Sequence, residues 1–260
     1  MASATGERQR GATERVMQKV EPSTYARFLE RYRAGEPRSR IFHDLVLEEI
    51  LARQEAVVLD IGCGRGFDAD PRLSTSLASH AKAFLGVEPD RTLTLQSIFS
   101  EVYHTPLEEA PIGNDKVDVA FCVMVLEHIE RPEPFMKKIF EVLRGGGVFW
   151  GFTVDARHWF PKASRCADVI HAKELYLRLT HGERGLRRYE NYPVHYRMNK
   201  PRHFEAFDSM FRSSLFLNFY RPGQIDFYYP RGLRWFGHAV EAVANGLGVP
   251  GSILAIRLQK

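Results

Sequence analysis

Apolar and polar positions along this chain follow two alternating periods. From residue 22 to 53 the period is helical. Tyr25, Phe28, Leu29 and Tyr32 fall at helical spacing, as do Leu45, Val46, Ile50 and Leu51, and Gly35-Glu36-Pro37 divides the stretch into two helices. Residues 56–61 then form a short apolar run, the pattern of a parallel strand buried on both faces. Residues 83–87 and 117–123 read as two more strands. An amphipathic helix is expected over 135–143, with Pro134 at a first-turn position that tolerates proline and Gly145-Gly146-Gly147 ending it. The next strand is 148–154, and Ser214–Tyr220 and Ile253–Leu258 read as the last two. Between those two, Arg231–Leu247 is an amphipathic helix with Leu233, Phe236, Val240, Val243 and Leu247 on one face. Strands alternating with helices imply an α/β fold, a mostly parallel sheet covered on both faces.

Residues 155–203 break this rhythm. They are rich in Arg, His and Tyr, carry a predicted helix near Ala172–Leu179, and are long for a connection in a compact domain, so 156–203 is expected to be a cap over the site. Residues 1–21 read as a disordered, slightly basic tail, leaving 22–260 as a single domain. The length of 260 residues, with 44% apolar and 26% charged, suffices for a sizeable core. No apolar run approaches the roughly 20 residues of a bilayer span, and the first residues lack the apolar stretch of a secretory signal. With three scattered cysteines, Cys63, Cys122 and Cys166, and no CxxC pair, the expectation is a reducing cytoplasm. The net charge of +4 comes from scattered basic residues without a nucleic-acid-binding motif, which argues against a nucleic-acid partner.

The strand ending in Asp60 runs into Gly62-Cys63-Gly64-Arg65-Gly66. Glycines there let the backbone turn tightly and approach a ligand closely. The dinucleotide fingerprint needs a third small residue where Phe67 stands, and the Gly-Lys-Ser/Thr ending of a phosphate-binding loop is absent. Val58-Leu59-Asp60-Ile61 followed by Gly-x-Gly-x-Gly instead resembles the first motif of the class I methyltransferases that use S-adenosylmethionine. The resemblance continues in order through Glu88, Thr105–Pro111, Val117–Val119, Leu126-Glu127-His128 and Leu143–Gly147. It is closest to the small-molecule branch that includes the ubiquinone and menaquinone methylases.

This resemblance implies a Rossmann-like doubly wound, mostly parallel seven-stranded sheet with N-terminal helices and an insertion after the fifth strand, 148–154. It implies S-adenosylmethionine as cofactor, held by Asp60, Gly62, Cys63, Gly64, Gly66, Glu88, Pro89, Leu107, Glu108 and Val123. Glu88 would accept from both ribose hydroxyls, a task that suits a carboxylate. The adenine loop of the family usually carries an Asp, whereas Thr105 and Pro106 stand here, so Leu107 backbone or Glu108 would serve.

The acceptor should meet the carboxyl ends of the strands. Glu127-His128 follows one strand, and Asp155 and His158 follow the next. A hydroxyl acceptor loses a proton as it attacks, so His128 is the first candidate base, with Asp155 and His158 as further catalytic candidates. Glu127 and His128 also resemble part of a metal set found in some quinone methylases, which Asp155 and His158 could complete, but no metal is expected. Tyr189, Tyr192, Tyr196, Arg184, Arg187, Arg188 and Arg197 suit a polar, ring-shaped or anionic acceptor. The expected activity is O-methylation of a small molecule or of a sugar or glycolipid hydroxyl; the alternatives are N-methylation and a non-catalytic binding scaffold. The apolar face of 231–247 suggests weak association with a membrane surface, and the oligomeric state is open.

Overall fold

Among the described residues, the chain from Val57 onward lays down seven strands: β2 (Val57–Ile61), β3 (Ala83–Val87), β4 (Glu101–Tyr103), β5 (Val117–Val123), β6 (Leu143–Val154), β7 (Ser213–Phe219) and β8 (Ile253–Gln259). A two-residue strand, β1 (Gln18–Lys19), precedes them. In this computed structural model, which describes residues 18–19, 22–163, 192–226, 229 and 231–260, all eight join one sheet of order β1-β7-β8-β6-β5-β2-β3-β4. Only β8 runs antiparallel, between β6 and β7. The seven strands β2–β8 are the Rossmann-like sheet that the sequence implies. β4 lacks a periodic signal because it is three residues long and none of its side chains is fully buried.

The apolar runs form strands because both faces are covered. On one face α1 (Ala26–Arg33), α2 (Arg38–Leu51) and α3 (Pro71–Ser79) bury Phe28, Ile41, Phe42 and Leu77 with Phe67 and Trp150. Phe42 stacks on Phe152 at 4.2 Å, and Phe152 on Trp150 at 5.6 Å. On the other face α4 (Pro132–Val142) sets Phe135, Met136, Ile139 and Val142 against Leu59, Ala120 and Phe149. α5 (Arg234–Gly246), after a 3-10 turn at Arg231–Leu233, connects β7 to β8.

Three local expectations are corrected. Pro132, not Pro134, stands at the start of α4, after Arg131 in extended conformation. Gly145–Gly147 do not stop the helix but lie inside β6 as an irregularity between the Val117–Leu143 and Val119–Val148 pairs, with Gly146 at φ +81°. The expected tail over 1–21 contains β1, which pairs in parallel with β7 at Ser213 and Ser214. The helix predicted near Ala172–Leu179 and most of the 156–203 cap lie outside the described residues.

An ion pair ties α2 to the sheet. Glu49 accepts from Arg257 of β8 at 2.7 Å and from Arg53 at 2.9 Å, with side-chain exposures of 12% and 11% for Glu49 and Arg257. Burial opposes ionisation of Glu49, but the hydrogen bonds and charges of Arg257 and Arg53 outweigh it and lower its pKa from 4.5. A depressed folded pKa contributes stability that is present above the unfolded value and lost as pH falls through the folded one. Urea denaturation should therefore show Glu49→Gln less stable by about 1–3 kcal/mol at pH 7. The gap should narrow as pH falls below 4.5, where the unfolded chain takes up the proton first, and close as pH passes through the depressed folded pKa. Equal stabilities at pH 7 would refute this role.

Candidate functional site

The parallel strands β2, β3, β5, β6 and β7 end on one edge, and the candidate residues gather there. At the end of β2 the glycine loop turns back beneath β3: Gly62 N–H and Cys63 N–H donate to the Val87 carbonyl at 2.8 and 3.2 Å. Gly62 sits at φ +74°, and a Cβ on it would lie 2.5 Å from Val125 Cγ2. Only glycine lets the loop pass this close to the β5 exit. A Cβ on Gly64 would lie 3.0 Å from Glu88 Oε2 and 3.2 Å from Leu93. The bare backbone thus leaves a cradle between the loop and the acid.

Glu88 directly follows β3, with its side chain buried. Oε2 accepts from Gly64 N–H and Oε1 from Asp90 N–H, each at 3.0 Å. Asp60, opposite Gly86 in the β2–β3 register, is 4% exposed, and its Oδ2 is buried without a partner among the described residues. Burial first, and the Glu88 carboxylate second, push the Asp60 pKa well above the usual range. Two buried carboxylates beside a bare glycine loop favour a cationic ligand that also offers hydroxyl donors. Thr105 Oγ1 is likewise buried and unpartnered, a hydroxyl available to a bound ring at the loop after β4. In that loop Leu107 is buried in the core while Glu108 is half-buried. Pro89 is exposed, Val123 is half-buried at the end of β5, and Cys63 is buried with its thiol pKa raised, chiefly by burial. Phe67, too large for a dinucleotide loop, packs into the core 5.3 Å from Phe121.

The β5 exit holds Met124 at φ +55°, then Leu126-Glu127-His128 in a 3-10 turn. A left-handed backbone at a non-glycine residue persists only where its surroundings hold it; here Met124 N–H donates to Phe152 O at 2.8 Å. Glu127 is buried, and its Oε2 accepts from Thr153 Oγ1 at 2.8 Å, which in turn accepts from Asn199 Nδ2 at 2.5 Å. Burial raises the Glu127 pKa, with His128, Thr153 and Arg38 opposing. His128 is half-buried. Its Nδ1 lies 2.9 Å from the Pro193 carbonyl, and its ring meets Tyr192 edge-on at 6.0 Å.

The sequence singles out Tyr192, Tyr196 and Arg197 for their side-chain chemistry; the contacts they and their neighbours make are the part that sequence reasoning missed. His195 and Tyr196 N–H groups donate to Glu127 O at 2.8 and 3.2 Å, and Arg197 Nη1 to Glu130 O at 2.6 Å. Tyr192 Oη donates to Asp90 Oδ2 at 2.5 Å. This returning segment therefore spans from the β3 exit to the β5 exit across the mouth of the site. Arg38, also unforeseen, makes a bidentate pair with Asp68 at 2.8 and 2.9 Å and ties α2 to the glycine loop.

Asp155 and His158 are placed differently from His128. Asp155 is fully buried, and its carboxylate is engaged by the Arg157 N–H and guanidinium, at 2.6–3.2 Å, and by Asn218 Nδ2 at 2.9 Å. His158 is 2% exposed. Its Nδ1 accepts from Phe160 N–H at 3.1 Å, and burial pushes its pKa down to about 4. Both groups hold the turn after β6 through these contacts. Among the described residues no three His, Cys, Asp or Glu side chains form a metal-holding cluster.

Residues 59–151, the segment that builds this edge, match the methyltransferase domain family. A probable S-adenosylmethionine-dependent methyltransferase of Mycolicibacterium smegmatis is 29% identical over 139 residues, 51% of this chain and 52% of its own. A ubiquinone biosynthesis O-methyltransferase of Chelativorans is 31% identical over 101 residues, 38% of this chain and 40% of its own. The chain thus matches about half the length of its curated relatives. Among solved structures, an S-adenosylmethionine-dependent methyltransferase from Archaeoglobus fulgidus superposes with a TM-score of 0.51 at 12% identity, covering 91% of this chain and 100% of that one, a likeness of fold.

Proposed function

We propose that this chain, which carries a methyltransferase domain at residues 59–151, transfers a methyl group from S-adenosylmethionine to a hydroxyl of a small molecule or glycan. The observation that carries the reading is the pair of buried carboxylates, Asp60 with an unpartnered Oδ2 and Glu88, flanking bare Gly62 and Gly64. That set fits the donor: Glu88 has lone pairs left that would accept from two ribose hydroxyls, Asp60 would supply a second carboxyl toward a cationic ligand, and Thr105 Oγ1 would be available to an adenine ring. When bound, S-adenosylmethionine supplies an electrophilic methyl group on a cationic sulfur.

The chain's own residues position and deprotonate the acceptor. The Pro193 carbonyl can only accept, so neutral His128 donates through Nδ1 and keeps its Nε2 lone pair. Nε2 takes the hydroxyl proton as the oxygen attacks. Glu127, fixed by Thr153 and Asn199, orients the turn that carries His128. Tyr192 bridges to Asp90 and ties the returning segment to the β3 exit.

The test is turnover. With labelled S-adenosylmethionine and fractionated cell extract, the protein should release S-adenosylhomocysteine and label a small molecule or glycan in an alkali-stable ether. Binding of S-adenosylhomocysteine without turnover on any fraction would favour the scaffold alternative. A labelled amine would move the reaction to N-methylation.

A further inference from the structure

The amphipathic helix α5 is turned inside out. Its inward side carries Gly237, against which the Tyr229 ring packs so closely that a Cβ would lie 2.7 Å away, and Glu241, whose Oε2 accepts from Gly223 N–H at 2.7 Å. Its apolar side faces out: Trp235 is 70% exposed, Leu247 80%, Val243 63%, Phe236 52%, and Leu233 just before the helix 50%. These make up most of the large exposed apolar side chains among the described residues. A contiguous patch of this kind on a soluble domain marks a surface that something covers.

Its place in the fold is specific. β7 ends and β8 begins at the paired residues Phe219 and Ile253, on the edge where β6 ends. The excursion that bears α5 therefore leaves from and returns to the rim of the site. Asn218 fastens that rim, donating to Asp155 and to the Gly251 and Ile253 carbonyls at 2.9–3.2 Å.

We propose that α5 is a docking helix for an anionic lipid surface. The adjacent Trp235 and Phe236 rings suit the boundary between headgroups and acyl chains. Charge agrees: the only carboxylate on the helix, Glu241, is turned inward, Arg234 is exposed, and His238 is paired with Asp226 at 2.8 Å. No acid faces out from the helix to repel phosphate headgroups. A second copy is the rival occupant, and the oligomeric state distinguishes it. Seated in this way, the site's rim faces lipid-borne acceptors, but docking itself does not depend on the methyl-transfer reading.

Vesicle co-sedimentation tests it without donor or acceptor. The protein should sediment with phosphatidylcholine vesicles containing phosphatidylglycerol, and W235S/F236S/L247S should bind at least about tenfold less. These side chains are exposed, so the variant should melt like the parent. Brominated lipid should quench parent fluorescence, and W235F should lose most of that quenching while still sedimenting. No binding by the parent, binding indifferent to phosphatidylglycerol, or binding unchanged in the triple variant would overturn the proposal. So would a parent dimer in sedimentation equilibrium that the triple variant splits.

Discussion

His128→Ala is expected to lower kcat by about 100- to 10,000-fold, the usual share of general-base catalysis, with S-adenosylhomocysteine binding unchanged. The expectation rests on the tautomer. Nδ1 is spent at 2.9 Å on the Pro193 carbonyl, so the basic nitrogen of the neutral ring is Nε2. The residues of the donor cradle, Asp60, Gly64 and Glu88, lie on β2, β3 and the loop between them, so truncating His128 leaves them in place. His128→Asn separates two roles. Its amide can still donate to Pro193 but has no basic nitrogen. If Asn restores most of the rate, His128 positions the returning segment and the proton leaves to water. If Asn is as slow as Ala, the imidazole is the base. Near-normal turnover in both would remove His128 from the mechanism.

Glu88→Ala is expected to weaken S-adenosylhomocysteine binding by about 3–6 kcal/mol, from two hydrogen bonds to a charged acceptor at about 1.5–3 kcal/mol each. That is a loss of at least about 100-fold in affinity. Part of it comes through the protein, since Glu88 also holds Gly64 N–H and Asp90 N–H at 3.0 Å. Calorimetry against S-adenosylhomocysteine measures it, and a thermal melt separates lost contacts from a disordered loop. The variant also removes the carboxylate that raises the Asp60 pKa, leaving a lone acid in the cradle. Unchanged affinity in a folded variant would place the donor elsewhere.

Much of this site was legible without coordinates because its chemistry is local. A glycine at φ +74° next to a strand, an acid ending the following strand and apolar runs of five to seven residues depend on backbone sterics and side-chain type within a few positions. Residues 83–87 and 117–123 are strands with the bounds that alternation implied. Glu88 lies beside Gly64 because β2 and β3 pair in parallel register from Val57–Ala83 to Ile61–Val87.

What tertiary structure decided is what depends on partners far along the chain. Asp155 and His158 follow a strand on the active edge just as His128 does, and composition does not distinguish them. Asn218, 63 residues away, closes around Asp155, whereas Pro193, 65 residues away, engages His128 through Nδ1. Gly145–Gly147 satisfy the rule for a helix stop, but pairing of β6 with β5 drew them into a strand irregularity. The Tyr192–Asp90 bond spans 102 residues and leaves no local trace. In α5 the period assigned Phe236, Val243 and Leu247 to a common face, and they share one. Periodicity fixes which side chains point together, while the side that turns inward is set by Gly237, Glu241 and the Tyr229 ring.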